Sequence, residues 1–301
     1  MISSEALELN ASFRRDIKDS GIFTLPFEEQ RSNWDAFGAS IPEYSPDVSI
    51  EPVECDGVPC EWVVAPGADD NRVLLHFHGG GYVIGHPYGY RNYNSRMSEA
   101  LAARVLAVDY RLAPEHPFPA APEDTLCAYK WVLAQGYKPE NIGFTGESAG
   151  GGLVFATLLS ARDEGVPLPA AAVAISPWVD LTNAGQSHAF NDEPDHMIGP
   201  TVLDTFATNY LNGADHKAPL ASPAHGNLNG LPPIYILVGS TEVLLDDARN
   251  LFMAASRAGV NTTIEVAPDM PHIWPIFAYQ LPEGRSAIAR MAAFFRSHVG
   301  K

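Results

Sequence analysis

Apolar residues along the chain gather into short runs separated by longer stretches of helical periodicity. Runs such as Val73-Leu-Leu and Ile234-Tyr-Ile-Leu-Val have no polar alternation, as expected of strands covered on both faces. After two short strands around the turn at Asp56-Gly57, the pattern predicts strand 73–78, helix 88–103, strand 105–108 and helix 122–135. It continues with strand 142–145, helix 149–163 and strand 171–175. The alternation pauses over 176–222, which is rich in proline and polar residues and holds one predicted helix at 200–211. It resumes with strand 234–239, helix 245–258, strand 263–266 and a last helix at 285–298. Strands separated by helices imply an α/β fold: a mostly parallel, doubly wound sheet with helices on both faces. The first forty-odd residues also read as helical. Thr24 is placed to cap a helix over 26–37, with Phe27, Trp34 and Phe37 on one face. The two segments outside the alternation, 1–45 and 176–222, are the candidates for a helical cap over a catalytic domain spanning 46–301.

Composition narrows the function. A hydrophobic fraction of 46% supports a large core, and a net charge of −17 disfavours nucleic acid and anionic membrane surfaces as partners. Met1 to Asn10 has no apolar run of the signal-peptide kind, and no stretch reaches the roughly 18 apolar residues that span a bilayer. The expectation is a cytoplasmic protein outside the membrane, compatible with a homodimer. Three cysteines are too few for a disulfide framework. Cys55 and Cys60 flank the Asp56-Gly57 turn and Cys127 stands apart, so free thiols are the simpler expectation.

Gly146-Glu147-Ser148-Ala149-Gly150 lies between a predicted strand and a predicted helix. A nucleophilic serine on a sharp strand-to-helix turn needs neighbours without side chains, and the following helix aims free N–H groups at a developing oxyanion. His78-Gly79-Gly80-Gly81-Tyr82 follows the strand at 73–78 and matches an oxyanion loop. Gly80, Gly81 and Ala149 are the expected donors, with Gly79 in reserve. His76 and His78 stand two apart on a strand, but no third cluster accompanies them, so no metal site is expected. The spacing also fits no phosphate loop, since Ile84 occupies the position of the next required glycine.

On such a fold a catalytic acid and histidine follow the serine, on loops leaving later strands. Of the ten histidines only His272 and His298 lie beyond the strand at 234–239, and His298 falls in the terminal helix. His272, in Pro268-Asp269-Met270-Pro271-His272, is the candidate base. Glu242 leaves the strand at 234–239 almost at once and is the candidate acid. Asp246 is the alternative, although Asp246 and Asp247 stand where aspartates ordinarily cap a helix. Phe27, Trp34, Met197, Phe206, Tyr210, Ile273 and Trp274 are candidates for the pocket wall.

These motifs, with Asp109-Tyr110-Arg111-Leu112-Ala113-Pro114-Glu115, resemble the hormone-sensitive lipase family of α/β-hydrolase esterases, bacterial family IV, over residues 48 to 298. The resemblance implies an N-terminal cap, no cofactor and a preference for small acyl groups. Glu147 departs from the family's frequent Asp beside the nucleophile, and Glu242-Val243-Leu244 stands where Asp-Pro-Leu is common. The charges of the Asp109–Glu115 run are expected to brace the oxyanion loop from outside. The function expected is a serine carboxylesterase acting on small, short-chain esters through a Ser148–His272–Glu242 triad and an acyl-enzyme. Lactone hydrolysis by the same chemistry and a hydrolase-like receptor or binding protein are the alternatives, with peptidase activity a weaker one.

Overall fold

The computed structural model of the protein describes residues 2–300. Its centre is an eight-stranded sheet in the order β1-β2-β4-β3-β5-β6-β7-β8. The strands are β1 (Ser49–Cys55), β2 (Val58–Val64), β3 (Asp69–Phe77), β4 (Ala103–Val108), β5 (Ile142–Glu147), β6 (Ala171–Ile175), β7 (Ile234–Gly239) and β8 (Thr262–Ala267). Strands β1 and β2 form the hairpin around Asp56-Gly57, and β2 runs antiparallel to β4; every other neighbouring pair is parallel. The helices are α1 (Ser4–Phe13), α2 (Phe27–Ser40), α3 (Arg91–Leu101), α4 (Ala120–Ala134), α5 (Ala149–Asp163), α6 (Ser187–Phe190), α7 (Pro200–Leu211), α8 (Leu245–Arg257) and α9 (Pro282–Arg296).

Every residue of β5, β6 and β7 is buried, because helices cover both faces of the sheet. Strand β5 shows how. A side chain at Gly143 would run into the Phe295 ring of α9, whereas one at Gly146 would strike the backbone of α5 at Gly150. Residues 143 and 146 point to opposite faces of a strand, so α9 and α5 lie on opposite sides of the sheet. The chain passes from β3 to β4 on one side and then returns to start β5 on the other. The β3/β5 boundary is therefore the topological switch point, and the crevice at its carboxyl end is where such sheets bind ligands.

The two segments outside the alternation touch each other. Phe23 and Phe27 meet Phe206 of α7 at centroid separations of 5.8 and 6.1 Å. Arg14 and Lys18 pair with Glu193 and Asp192 and donate to main-chain carbonyls of 192–195. Helix α2 is not capped as expected: Pro26 occupies the N-cap position without a side-chain bond, and Thr24 turns its hydroxyl to Gly21 O. Pro26 fixes the entry of the helix and leaves Thr24 outside it. The helix expected over 88–103 opens with a tighter turn at Pro87–Tyr90 and reaches only Leu101. All three cysteines are free thiols, with Cys55 and Cys60 buried in the β1–β2 hairpin. Among the described residues no helix is long and apolar enough to cross a membrane.

Just past β3, the His78 ring is buried between Tyr110 (4.2 Å, 14° between planes) and Tyr90 (5.8 Å, 24°), with Nδ1 donating to Gly79 O at 2.7 Å. Burial pushes its pKa down to about 4. Between pH 6.5 and 4 the unfolded chain then binds a proton at this position that the folded chain refuses. Stability from this group is present above about pH 6.5 and is lost as pH falls toward 4, by roughly 3 kcal/mol in total. Urea unfolding measured across that window should show a flatter pH dependence for His78→Asn than for the natural chain.

Candidate active site

Ser148 joins β5 to α5 at φ 55° and ψ −121°, a conformation that costs a non-glycine residue about 1–3 kcal/mol. The surroundings enforce it. Ser148 N–H donates to Ile175 O at 2.9 Å, and Ser148 O accepts from Gly152 and Trp178 at 3.1 and 3.0 Å. The flanking glycines are obligatory here: a Cβ on Gly146 would lie 2.4 Å from Gly150 O, and one on Gly150 would lie 1.9 Å from Phe77 O.

The loop after β3 carries Gly80 and Gly81 at φ 114° and 60°. Among the described residues, the N–H groups of Gly80, Gly81 and Ala149 have no protein acceptor. Gly79, the reserve donor, is already committed, because its N–H donates to Glu147 Oε1 at 2.6 Å. The other oxygen of Glu147 accepts from His76 Nε2 at 2.9 Å, and His76 Nδ1 in turn accepts from the Asn94 amide at 3.1 Å. His76 is thus a buried structural residue that links Glu147 to α3. Among the described residues no group of three or more His, Cys, Asp or Glu is arranged to hold a metal ion.

The Asp109–Glu115 run meets the oxyanion loop differently from the sequence expectation. The direct contact is uncharged: Tyr110 donates its hydroxyl to His78 O at 2.7 Å. Its charges mostly face elsewhere. Arg111 pairs with Asp124 of α4, and Glu115 pairs with Arg31 of α2, while Asp109 reaches His86 at 3.4 Å. Arg31 also donates to Val83 O and Ala113 O, both at 2.8 Å, and so ties α2 to the segment following the glycines.

On the far side of the serine, His272 Nδ1 donates to Glu242 Oε2 at 2.7 Å. Glu242 is fully buried, and its other oxygen accepts from Ser176 Oγ at 2.7 Å and from Gly239 N–H. Burial raises the pKa of this carboxyl, while the bonds from His272 and Gly239 pull it down. A carboxylate at Nδ1 places the ring proton there and leaves Nε2 as the basic nitrogen. Asp246 is not brought to His272. It accepts from Ser187 N–H at 2.9 Å, and its own N–H donates to Ser187 Oγ at 2.9 Å. Neither aspartate caps α8 in the expected way: the N-cap is Leu244, without a side-chain bond. Asp247 instead binds His188 at 3.0 Å and the N–H groups of Val179 and Asp180.

Ser148, His272, Gly80 and Gly81 line one narrow cavity of about 40 Å³. Of the seven expected wall residues, Trp34, Met197, Phe206 and Ile273 line it. Phe27 packs behind Phe206, Tyr210 stacks on Tyr82 at 3.8 Å, and Trp274 is wholly buried. Three residues missed in the sequence matter to the site. Ser176 Oγ donates to Glu242 and accepts the Ile273 N–H at 3.1 Å, linking the acid to the residue after His272; its place just past a buried strand beside the elbow was the available signal. Asp195 accepts from the N–H groups of Met197, Ile198 and Val243 and fixes the loop that carries Glu242. Tyr90 lines the cavity itself, and nothing in its sequence context announced it.

Comparison with known proteins identifies the family. Residues 74–276 match a family described by the α/β-hydrolase fold. An acetyl-hydrolase of Streptomyces hygroscopicus is 48% identical over 80% of each chain, and an esterase of Acinetobacter venetianus is 32% identical over 84% of each. The crystal structure of an esterase from the bacterial hormone-sensitive lipase family superposes over the whole of both chains with a TM-score of 0.94 at 44% identity. With this fold and these relatives, the chain belongs to the hormone-sensitive lipase family of α/β-hydrolases and is a carboxylic ester hydrolase.

Proposed function

We propose that the protein hydrolyses short-acyl carboxylic esters through an acyl-enzyme on Ser148, with His272 as general base and acid and Glu242 as the triad acid. The observation that carries this reading is that a serine held at positive φ shares one narrow cavity with a histidine whose Nδ1 is bound to a buried carboxylate. Ser148 Oγ forms a bond to the ester carbonyl carbon as its proton passes to His272 Nε2. The carbonyl oxygen becomes an oxyanion, for which the free N–H groups of Gly80, Gly81 and Ala149 are the available donors. Glu242 stabilises the imidazolium. Collapse breaks the bond to the alkoxy oxygen, which takes the proton from His272. Water then attacks the acyl-enzyme by the same sequence, releasing the acid and restoring Ser148.

A small acyl group suits the cavity, which measures only about 40 Å³ and is walled by large apolar side chains. The Streptomyces relative is an acetyl-hydrolase, which points the same way. In this reading segments 1–45 and 176–222 form the cap over the catalytic domain 46–301. Phe23 and Trp34 from the first, and Met197, Ile198, Val202, Leu203 and Phe206 from the second, line the cavity.

Ser148→Ala should abolish nearly all hydrolysis of an acetate ester while leaving the circular dichroism unchanged; wild-type turnover in that variant overturns the assignment. Glu242→Gln keeps the size and removes the charge, so kcat should fall roughly 10²- to 10⁴-fold with KM little moved. Asp246→Asn, measured alongside at one pH, should cost little in kcat. The reverse order of these two variants would reassign the acid. Glu147→Ala strands buried His76 and frees Gly79 N–H, so it should cost about 3 kcal/mol in urea unfolding and lower kcat through a loosened oxyanion loop. Unchanged stability in that variant would show that Glu147 does not hold the loop.

A further inference from the structure

Tyr90 stands at the start of α3 and lines the cavity that holds Ser148, Gly80, Gly81 and His272. Only 2% of it is exposed, and its hydroxyl has no hydrogen-bond partner among the described residues. The Trp34 indole and the Gly79 backbone N–H lie beside that hydroxyl, but both are donors and neither can accept its proton. The ring cannot easily turn away, because it stacks on His78 at 5.8 Å and packs against His76 at 5.4 Å. Burial keeps the phenol protonated, so it remains a donor at any ordinary pH. A buried hydroxyl without a partner is costly and calls for an explanation in terms of what satisfies it.

The surroundings indicate where its partner would lie. Phe23, Trp34 and Ile84 line the catalytic cavity and also a second, largely apolar chamber of about 400 Å³, built from α1, α2 and the segment at Tyr279. With the acyl group in the small cavity, this shared wall beside Trp34 offers the alcohol half of the ester a way toward the larger chamber. The group that passes Trp34 also passes Tyr90.

We propose that Tyr90 is a specificity-determining residue whose hydroxyl donates to an ether or hydroxyl oxygen in the alcohol half of the ester. The substrates favoured are then short-acyl esters of oxygenated alcohols, such as monoesters of 1,2-diols and their ethers. The proposal rests on the serine-esterase reading of the site. In the free enzyme the phenol is closed off from solvent and unpaired, and an alkyl alcohol seated beside it leaves it so. An oxygen at that point supplies the missing bond. Sites built to hydrogen-bond a substrate group discriminate against analogues that lack it.

The test uses two esters of one shape, butyl acetate and 2-methoxyethyl acetate, which differ by one CH₂ replaced with oxygen. The measurement is the ratio of their kcat/KM values in the full-length wild type and in Tyr90→Phe. Taking the ratio cancels the amount of active enzyme and the intrinsic reactivities of the esters. Tyr90→Phe should lower the preference for 2-methoxyethyl acetate about tenfold, the loss expected for one buried hydrogen bond. A merely structural role would slow both esters together, so an equal ratio in the two proteins overturns the proposal even if both rates fall. Ser148→Ala, assayed on the same two esters, tests the underlying reading separately: retained hydrolysis there removes the serine mechanism, and the proposal with it.

Discussion

The carboxylate of Glu147 holds the two halves of the site together. It is the last residue of β5, one position before Ser148, and it is fully buried. One oxygen takes the N–H of Gly79 in the loop that leaves β3, and the other takes His76 from β3 itself. The exits of the two strands at the switch point are thereby fixed to each other by bonds of 2.6 and 2.9 Å. Burying a carboxylate is expensive unless its lone pairs are filled, and here donors on the opposite strand fill them. The consequence is a division of labour among three glycines. Gly79 gives up its N–H to hold the loop in place, while Gly80 and Gly81 line the cavity with N–H groups that have no acceptor among the described residues.

The same arrangement recurs on the other side of the serine. Glu242 is buried and receives Ser176, Gly239 N–H and His272, so the imidazole is positioned by a carboxylate that is itself held from two directions. Asp195 does the corresponding work from outside the sheet, tying the N–H groups of Met197 and Ile198 to that of Val243. Asn191 adds bonds to Ser240 O and Glu242 O. The loop bearing Glu242 is therefore fastened to the segment that also walls the cavity. Displacing that segment would disturb the acid as well as the pocket.

The strands from β3 to β7 were legible to within about two residues at most edges, because burial on both faces leaves uninterrupted apolar runs. Ser148, His272 and Glu242 were legible for a different reason: chain order and proximity to strand ends restrict what a loop can deliver to the elbow. Positions set by tertiary contact were not legible. Thr24 fits a cap by residue type, but Pro26 starts the helix after it. Asp246 and Asp247 fit a cap as well, yet Ser187, His188 and the backbone at Val179 claim them. The Asp109–Glu115 run looked like a charged brace, and the contact that reaches the loop is the hydroxyl of Tyr110. In each case the residue can make several kinds of bond, and only the neighbour that the fold supplies decides among them.

The wall of the cavity has a composition that separates fastening from admission. Its polar attachments, Arg31 to Val83 O and Ala113 O, and Arg14 and Lys18 to the backbone of 192–195, lie away from the serine. The cavity itself is lined largely by apolar side chains, among them Phe23, Trp34, Ile198, Leu203 and Phe206. Apolar contacts are non-directional and can be exchanged for contacts with a ligand at little net cost, whereas each charged bond must be replaced in kind. The inner wall is therefore the part of this enclosure that costs least to rearrange, and the outer attachments the part that costs most. Gly81 marks the limit of that freedom: a Cβ there would lie 2.0 Å from the Phe206 ring, so the wall touches the oxyanion loop itself. Phe206 lies directly against Gly81, and a side chain at that position would have to displace the ring before the loop could keep its course.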